Sequence, residues 1–271
     1  MPRRSILSAS ERESLLALPD NKADLIRYYT LSESDLSLIR QRRGSANRLG
    51  FAIQLCYLRF PGLILGINEP PFPPMLNLVA DQVKVPAECW NDYGRRDQTR
   101  REHLAELQAW LGMRVFSAAD YRHLVRQLAK LAQQTDRGIA LAEALVALLR
   151  QQHIILPTID VIERVCSEAL TRGTRQVHEA LIAPLMNYHR SALDGLLMIR
   201  EGSKDSGLIW LRQPPGPPKS KHILIHLARL NTIRDLSLPD GLEHTTHQNR
   251  LMKLAREGGQ MTAQHLRDLE A

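Results

Sequence analysis

Aromatic residues make up only 5% of this 271-residue chain, and there are three cysteines. Runs alternating β-branched or aromatic residues with polar ones are sparse. Long stretches rich in Leu, Ala, Arg, Glu and Gln take their place, which points to an all-α protein and away from a sheet fold. Cys56, Cys89 and Cys166 lie far apart. They fit neither a disulfide framework nor a zinc ribbon, and read as small core residues of a protein in a reducing cytoplasm. No apolar run is long enough to cross a bilayer, and the opening MPRRSILSASERESLL has no uninterrupted apolar segment of the signal-peptide kind. A soluble, unexported protein is expected.

Chemical motifs are equally thin. There is no phosphate-cradling glycine loop followed by Lys and Ser/Thr, no dinucleotide fingerprint and no zinc-protease helix. The acidic residues sit as helix caps and exposed-face charges, so they nominate no triad for two-metal chemistry. His222 and His226 stand one helical turn apart, with His244 and His247 further on. Such spacing could surround zinc, but structural zinc sites usually use cysteine, and solvated or phosphate-facing histidines are the competing reading. Neither catalytic residues, nor a metal site, nor a cofactor is expected of this chain.

What the chain does hold is positive charge. Its 36 Lys and Arg against 29 Asp and Glu give +7 and a pI near 9.6, which favours a polyanionic partner. The charge concentrates in Leu31 to Gly62, LSESDLSLIRQRRGSANRLGFAIQLCYLRFPG. Ser32 and Asp35 form a capping pattern, with Leu31 and Leu36 placed as a hydrophobic staple. A helix from about Glu33 to Arg43 should stop at Gly44, which tolerates a left-handed conformation. A second helix restarts at Ser45 and ends at Pro61. Its Leu49, Ile53 and Cys56 stripe, widened by Ala52, Leu55 and Leu58, marks most of it as core.

Five arginines and no acidic residue lie between Arg40 and Arg59. Guanidinium forks bind phosphate bidentately or read the guanine edge, and an asparagine can pair with adenine. The candidate DNA contacts are therefore Arg40, Arg42, Arg43, Ser45, Asn47 and Arg48, around a helix-turn-helix-like element. A solvated basic surface on an ordinary helical hairpin is the alternative.

Other helices follow from caps and breakers. Ser8 and Glu11 start one near Ala9, leaving Arg3 and Arg4 on an arm that is either free or able to enter a minor groove. Lys22 to Tyr29 gives the next. Pro70, Pro71, Pro73 and Pro74 mark a loop, with helices expected near Met75 to Val83 and Ala87 to Tyr93. Arg95, Arg96, Arg100 and Arg101 surround the start of a further helix, where a phosphate could offset the unfavourable dipole.

Tyr121 to Gln134 and Ile139 to Gln152 should pack as a hairpin. A run beginning at Thr158 should break around Gly173 and again at Pro184. Ser191 and Asp194 should cap a helix ending near Arg200, and Gly202 to Gly207 reads as a loop. From Leu208 to Arg234, across the proline-rich QPPGPPKSK, Arg212, Lys219, Lys221, Arg229 and Arg234 form a second basic region without an acidic residue. A last helix should stop at Gly258-Gly259 and a short one restart at Thr262, as if more sequence once followed. Two helical DNA-binding domains, 1–155 and 156–271, are expected.

MPRRSILSASERESLLALP, DLIRYYTLSESDLSLIRQRRGSANRLGFAIQLCYLRFPG and HQNRLMKLAREGGQMT resemble the N-terminal region of Tn-three family replicative transposases, the class II bacterial transposons. The resemblance covers essentially the whole chain. It implies helical domains that bind double-stranded DNA at transposon terminal inverted repeats, with self-association possible in the full-length protein. It also implies that the acidic-triad, magnesium-dependent catalytic domain lies outside this chain. A stand-alone truncated repressor and a helical protein-interaction module are the other functional readings.

Overall fold

Capped amphipathic segments alternate with proline and glycine breaks, and the segments become helices. The computed structural model describes residues 5–66, 69–199, 202, 204–214 and 216–262. In order these hold α1 (Ala9–Leu15), α2 (Lys22–Tyr29), α3 (Glu33–Arg40), α4 (Ser45–Arg59), α5 (Pro73–Val83) and α6 (Asp97–Leu111). Then come α7 (Ala118–Ala132), α8 (Gly138–Gln151), α9 (Ile159–Ile182), α10 (Asn187–Gly195), α11 (Gly207–Arg212), α12 (Ser220–Asp235) and α13 (Gln248–Gln260). The protein is all-α. Among the described residues the only extended pairings are isolated bridges, Arg114 to Ile154 and Ile199 to Ser206.

The chain forms two compact units, Met1–Leu128 with Arg137–Ala169, and Ala129–Asp136 with Leu170–Ala271. In the first, α4 is the hub, packed by α2, α3, α5, α6 and the 3-10 turn Ala87–Asp92. Leu49, Phe51, Ala52, Ile53 and Leu55 have no exposed surface at all. Full burial of a Leu, Ile or Phe side chain contributes about 1.5–3 kcal/mol, so this one helix carries a large part of the unit's hydrophobic stabilisation. Its buried Gln54 is satisfied by the backbone of Leu65, donating to the carbonyl at 3.1 Å and accepting from the amide at 3.3 Å.

Opposite the start of the chain, Glu163 of α9 collects Ser5 Oγ at 2.9 Å, the Leu7 amide at 3.3 Å and the Arg12 guanidinium. That carboxylate holds the first helix against the unit. The second unit is built from the later part of α9 with α10 to α13. Within it Asp136 pairs with Lys253, and Arg250 donates to Thr174 Oγ1 at 2.7 Å.

Several expected boundaries move. α5 begins at Pro73 because proline is well suited to the first helical positions, where its missing N–H has no intrahelical partner. The segment after Pro86 is 3-10, not α. α10 starts at Asn187, ahead of the expected Ser191 cap. His189 Nδ1 accepts from the Met186 amide at 3.0 Å and does the capping instead.

The two glycine positions read as breaks are both helical. α9 runs straight through Gly173, whose absent side chain is what allows contact with α7. A Cβ there would lie 2.7 Å from Ala132 Cβ and 2.9 Å from the Ala129 carbonyl. α13 runs through Gly258 and Gly259, and its terminal carbonyls at Gly258 and Met261 each accept from the Arg212 guanidinium at 2.8 Å. α10 ends at Gly195, short of the expected Arg200, and Ile199 bridges to Ser206 instead; the N-terminal arm and, beyond Thr262 itself, the helix expected from there lie outside the described residues.

These glycines separate in a stability test. Gly173→Leu should destabilise by about 1–3 kcal/mol through overpacking. Gly258→Ala meets nothing within 4 Å and should stabilise by about 0.5–1 kcal/mol through helix propensity. Urea unfolding followed by circular dichroism measures both.

Candidate nucleic-acid interface

The α3–α4 turn is rigid for local reasons. Ser32 and Asp35 form the expected capping box, but Asp35 has a second task. Its carboxylate, 1% exposed, accepts both arms of Arg59 at 2.7 and 2.5 Å, clamping the start of α3 to the end of α4. Burial pushes the Asp35 carboxyl up, but hydrogen bonds from Arg59 and Ser32 outweigh it and hold it below the usual carboxylate range. Arg59 is therefore a structural residue.

At the other end of the pair, Gly44 takes φ +80°, a conformation that a side chain would strain, and leads into α4. No side chain caps the first amides of α4. Arg48 Nε donates to the Arg42 carbonyl at 3.0 Å and Asn47 Nδ2 to the Arg43 carbonyl at 3.0 Å, which folds the turn onto the helix start.

Arg42 separates from its neighbours. Its two terminal nitrogens donate to Glu106 of α6 at 2.7 and 2.8 Å, and its guanidinium lies 4.9 Å from the Phe51 ring centre. It fastens the turn to α6 and has no fork left for a ligand. Arg40, Arg43, Ser45 and Arg48 are exposed, and Asn47 is half-buried. With one Nδ2 hydrogen held by the Arg43 carbonyl, Asn47 keeps its oxygen and its second amide hydrogen for a partner. Leu49 to Leu58 are all buried, so only the first turn of α4 can meet a large partner.

The second cluster is also divided. Arg95 and Arg96 are exposed before α6, Arg95 pairing with Asp92 at 2.6 Å. Asp97 stands in the first turn of α6, so the helix supplies its own dipole complement. Arg100 is buried and donates to the Leu65 carbonyl. Nearby, His103 lies between Phe51 and Tyr93; burial, and then Arg42, push its pKa down.

In the second unit, Arg212 serves the end of α13, and buried Arg229 donates to Gln213 O at 2.8 Å and Gln213 Oε1 at 3.1 Å. Lys219 and Lys221 are exposed at the start of α12. Among the described residues no three His, Cys, Asp or Glu side chains converge as metal ligands, and no helix is long and apolar enough to cross a membrane. Sequence reading missed the structural partners Glu106, Asp35 and Gln213. Their contacts span 64, 24 and 16 residues, beyond the reach of local pattern.

Residues 6–169 match the family model described as "Domain of unknown function (DUF4158)", and the chain belongs to that family. It is homologous over its whole length to Tn3-family transposases. It is 59% identical over 270 residues to the transposase for transposon Tn21 of Escherichia coli, covering 100% of this chain and 27% of that protein. It is 54% identical over 270 residues to the transposase for transposon Tn501 of Pseudomonas aeruginosa, with the same coverage. With the transposase for transposon Tn2501 of Escherichia coli it shares 46% over 266 residues, 98% of this chain and 27% of that protein. The chain thus spans about a quarter of the length of the relatives it matches.

The divided arginines behave differently when removed. Arg42→Ala should cost roughly 1–3 kcal/mol by leaving Glu106 without its partner, whereas Arg43→Ala should stay within about 0.5 kcal/mol of the parent in the same denaturation assay. The Asp35–Arg59 clamp sets an acid limit. Because the folded carboxyl sits below its unfolded value, the unfolded state takes up protons first as pH falls. The clamp's contribution is full above about pH 4 and fades as the pH drops through the folded pKa. Asp35→Asn should lower stability at neutral pH and flatten this acid dependence, as read from melting temperature against pH.

Proposed function

We propose that this chain is a sequence-specific binder of transposon terminal inverted repeats, acting as the N-terminal DNA-binding part of a replicative transposase. Homology to transposases along the whole chain carries the reading, and the uncapped, arginine-flanked start of α4 supports it physically. There the free amides of a first helical turn and its dipole favour a phosphate, with Arg40 and Arg43 on exposed backbone beside them. Arg48 and Asn47 add adjacent polar groups, and Ser45 a hydroxyl. Arg95 and Arg96 extend the positive surface of the first unit, and Lys221 supplies a phosphate contact in the second. Arg42, Arg100, Arg212 and Arg229 hold these elements in place.

Phosphate contacts position such a protein and base contacts specify the site. The helix-turn-helix-like character of α3–α4 belongs to this proposal, with contacts confined to the turn and the first turn of α4. Two contact regions on one chain would gain affinity through effective concentration. The role needs no cofactor; magnesium belongs to the strand-transfer chemistry of the family's catalytic domain. A cytoplasmic protein associated with the nucleoid through DNA fits this role, and self-association of the full-length protein remains part of the proposal.

A mobility-shift titration tests it, with a duplex carrying the transposon's own terminal repeat against a scrambled duplex. The terminal repeat should bind at least tenfold more tightly. Arg40→Ala and Arg43→Ala should each reduce the log–log salt slope by about 0.9 if they contact phosphate, without changing the melting temperature. Equal weak binding to both duplexes would overturn the proposal.

A further inference from the structure

α12 carries its polar side inward and its aliphatic side outward. Its inner face places buried Arg229 and half-buried His222, Ile225 and His226 around Trp210 and Gln213. Its outer face carries Ile223, Leu224, Leu227, Leu230 and Ile233, exposed by 53, 65, 51, 62 and 50%. The apolar side of a surface helix is normally turned to the core, and five open aliphatics on one helix make a patch of the kind that marks an interaction site. DNA offers too little apolar surface to cover them.

We infer that the outer face of α12 is a docking surface for an amphipathic protein helix whose apolar stripe is bracketed by carboxylates. Ile223, Leu227 and Leu230 follow one another at four- and three-residue spacing, and the same line continues to Lys219 before them and Arg234 after them. The stripe therefore ends on a cation at each side, roughly 22 Å apart at 1.5 Å per residue. Between Leu208 and Arg234 there is no acidic residue; Asp235 follows, and its carboxylate lies 3.5 Å from the Arg234 guanidinium, which stays 75% exposed.

Lys219 is the N-cap residue of α12 and makes no side-chain cap, so the first amides add to the positive end. A partner carboxylate there would meet both a cation and unsatisfied amide donors. A second copy of α12 would set like charges against each other, which disfavours self-pairing through this face. The geometry suits an extended helix laid along the stripe, the helix-to-apolar-surface mode of recognition.

The inference does not depend on DNA binding and is tested apart from it. Two synthetic helical peptides of about 18 residues, long enough to cover the stripe, share one leucine face and carry either glutamates or lysines at both ends. Fluorescence anisotropy with the full 271-residue chain should show the glutamate peptide binding at least tenfold more tightly. The double variant K219E/R234E should invert that preference. L227E/L230E should lose both peptides while retaining its circular dichroism, melting temperature and terminal-repeat binding. Should that variant unfold, the charge inversion alone decides.

Failure of both peptides to bind, or equal affinity for them, overturns the inference. So does a concentration-dependent dimer that L227E/L230E abolishes, which would assign the face to a second copy. Tighter binding to phosphatidylglycerol-rich vesicles than to the glutamate peptide would assign it to a membrane.

Discussion

Enclosure of α4 governs what the rest of the first unit can do. A helix with neighbours on every side from Leu49 to Leu58 cannot lie along a groove, so any large partner must meet it end-on. The Asp35–Arg59 clamp and the Arg42–Glu106 fork fix the direction in which that end points. Tying it through charged groups carries a desolvation cost, which two-pronged hydrogen bonding offsets at both places. The result is a preorganised turn whose remaining polar groups face outward.

Arginine has five donors, and its functional availability depends on how many are already engaged. A count along the sequence treats Arg40, Arg42, Arg43 and Arg48 as equals. The fold does not: Arg42 gives both terminal nitrogens to a carboxylate 64 residues away, while the other three are exposed, Arg48 among them giving its Nε to a carbonyl. The same division separates Arg212 and Arg229 from Lys219 and Lys221. Positive charge thus serves as internal fastening as well as surface.

Much of the fold was legible because capping chemistry is local. Ser8 and Ser32 begin helices where their side-chain acceptors require, and Lys22–Tyr29 matches its expected span. Breaks were harder to read. Gly173 permits close approach to Ala132, while Gly258 is held in a helix whose end is served by Arg212; in both cases the deciding contact is tertiary. Placing the candidate surface at the turn followed from apolar periodicity, whereas assigning roles within it required Glu106. The open stripe on α12 was hidden for another reason. Its polar residues, His222, His226 and Arg229, are the ones turned inward, the reverse of what apolar periodicity suggests.

That open aliphatic face also bears on how the molecules behave together in solution. A net charge of +7 makes copies repel one another, keeping their aliphatic surfaces apart at low ionic strength. Salt shortens the reach of that repulsion to about 10 Å at 0.1 M and about 3 Å at 1 M, while leaving apolar attraction in place. Ionic strength therefore governs colloidal behaviour, with concentrated salt bringing bare α12 faces close enough to cohere.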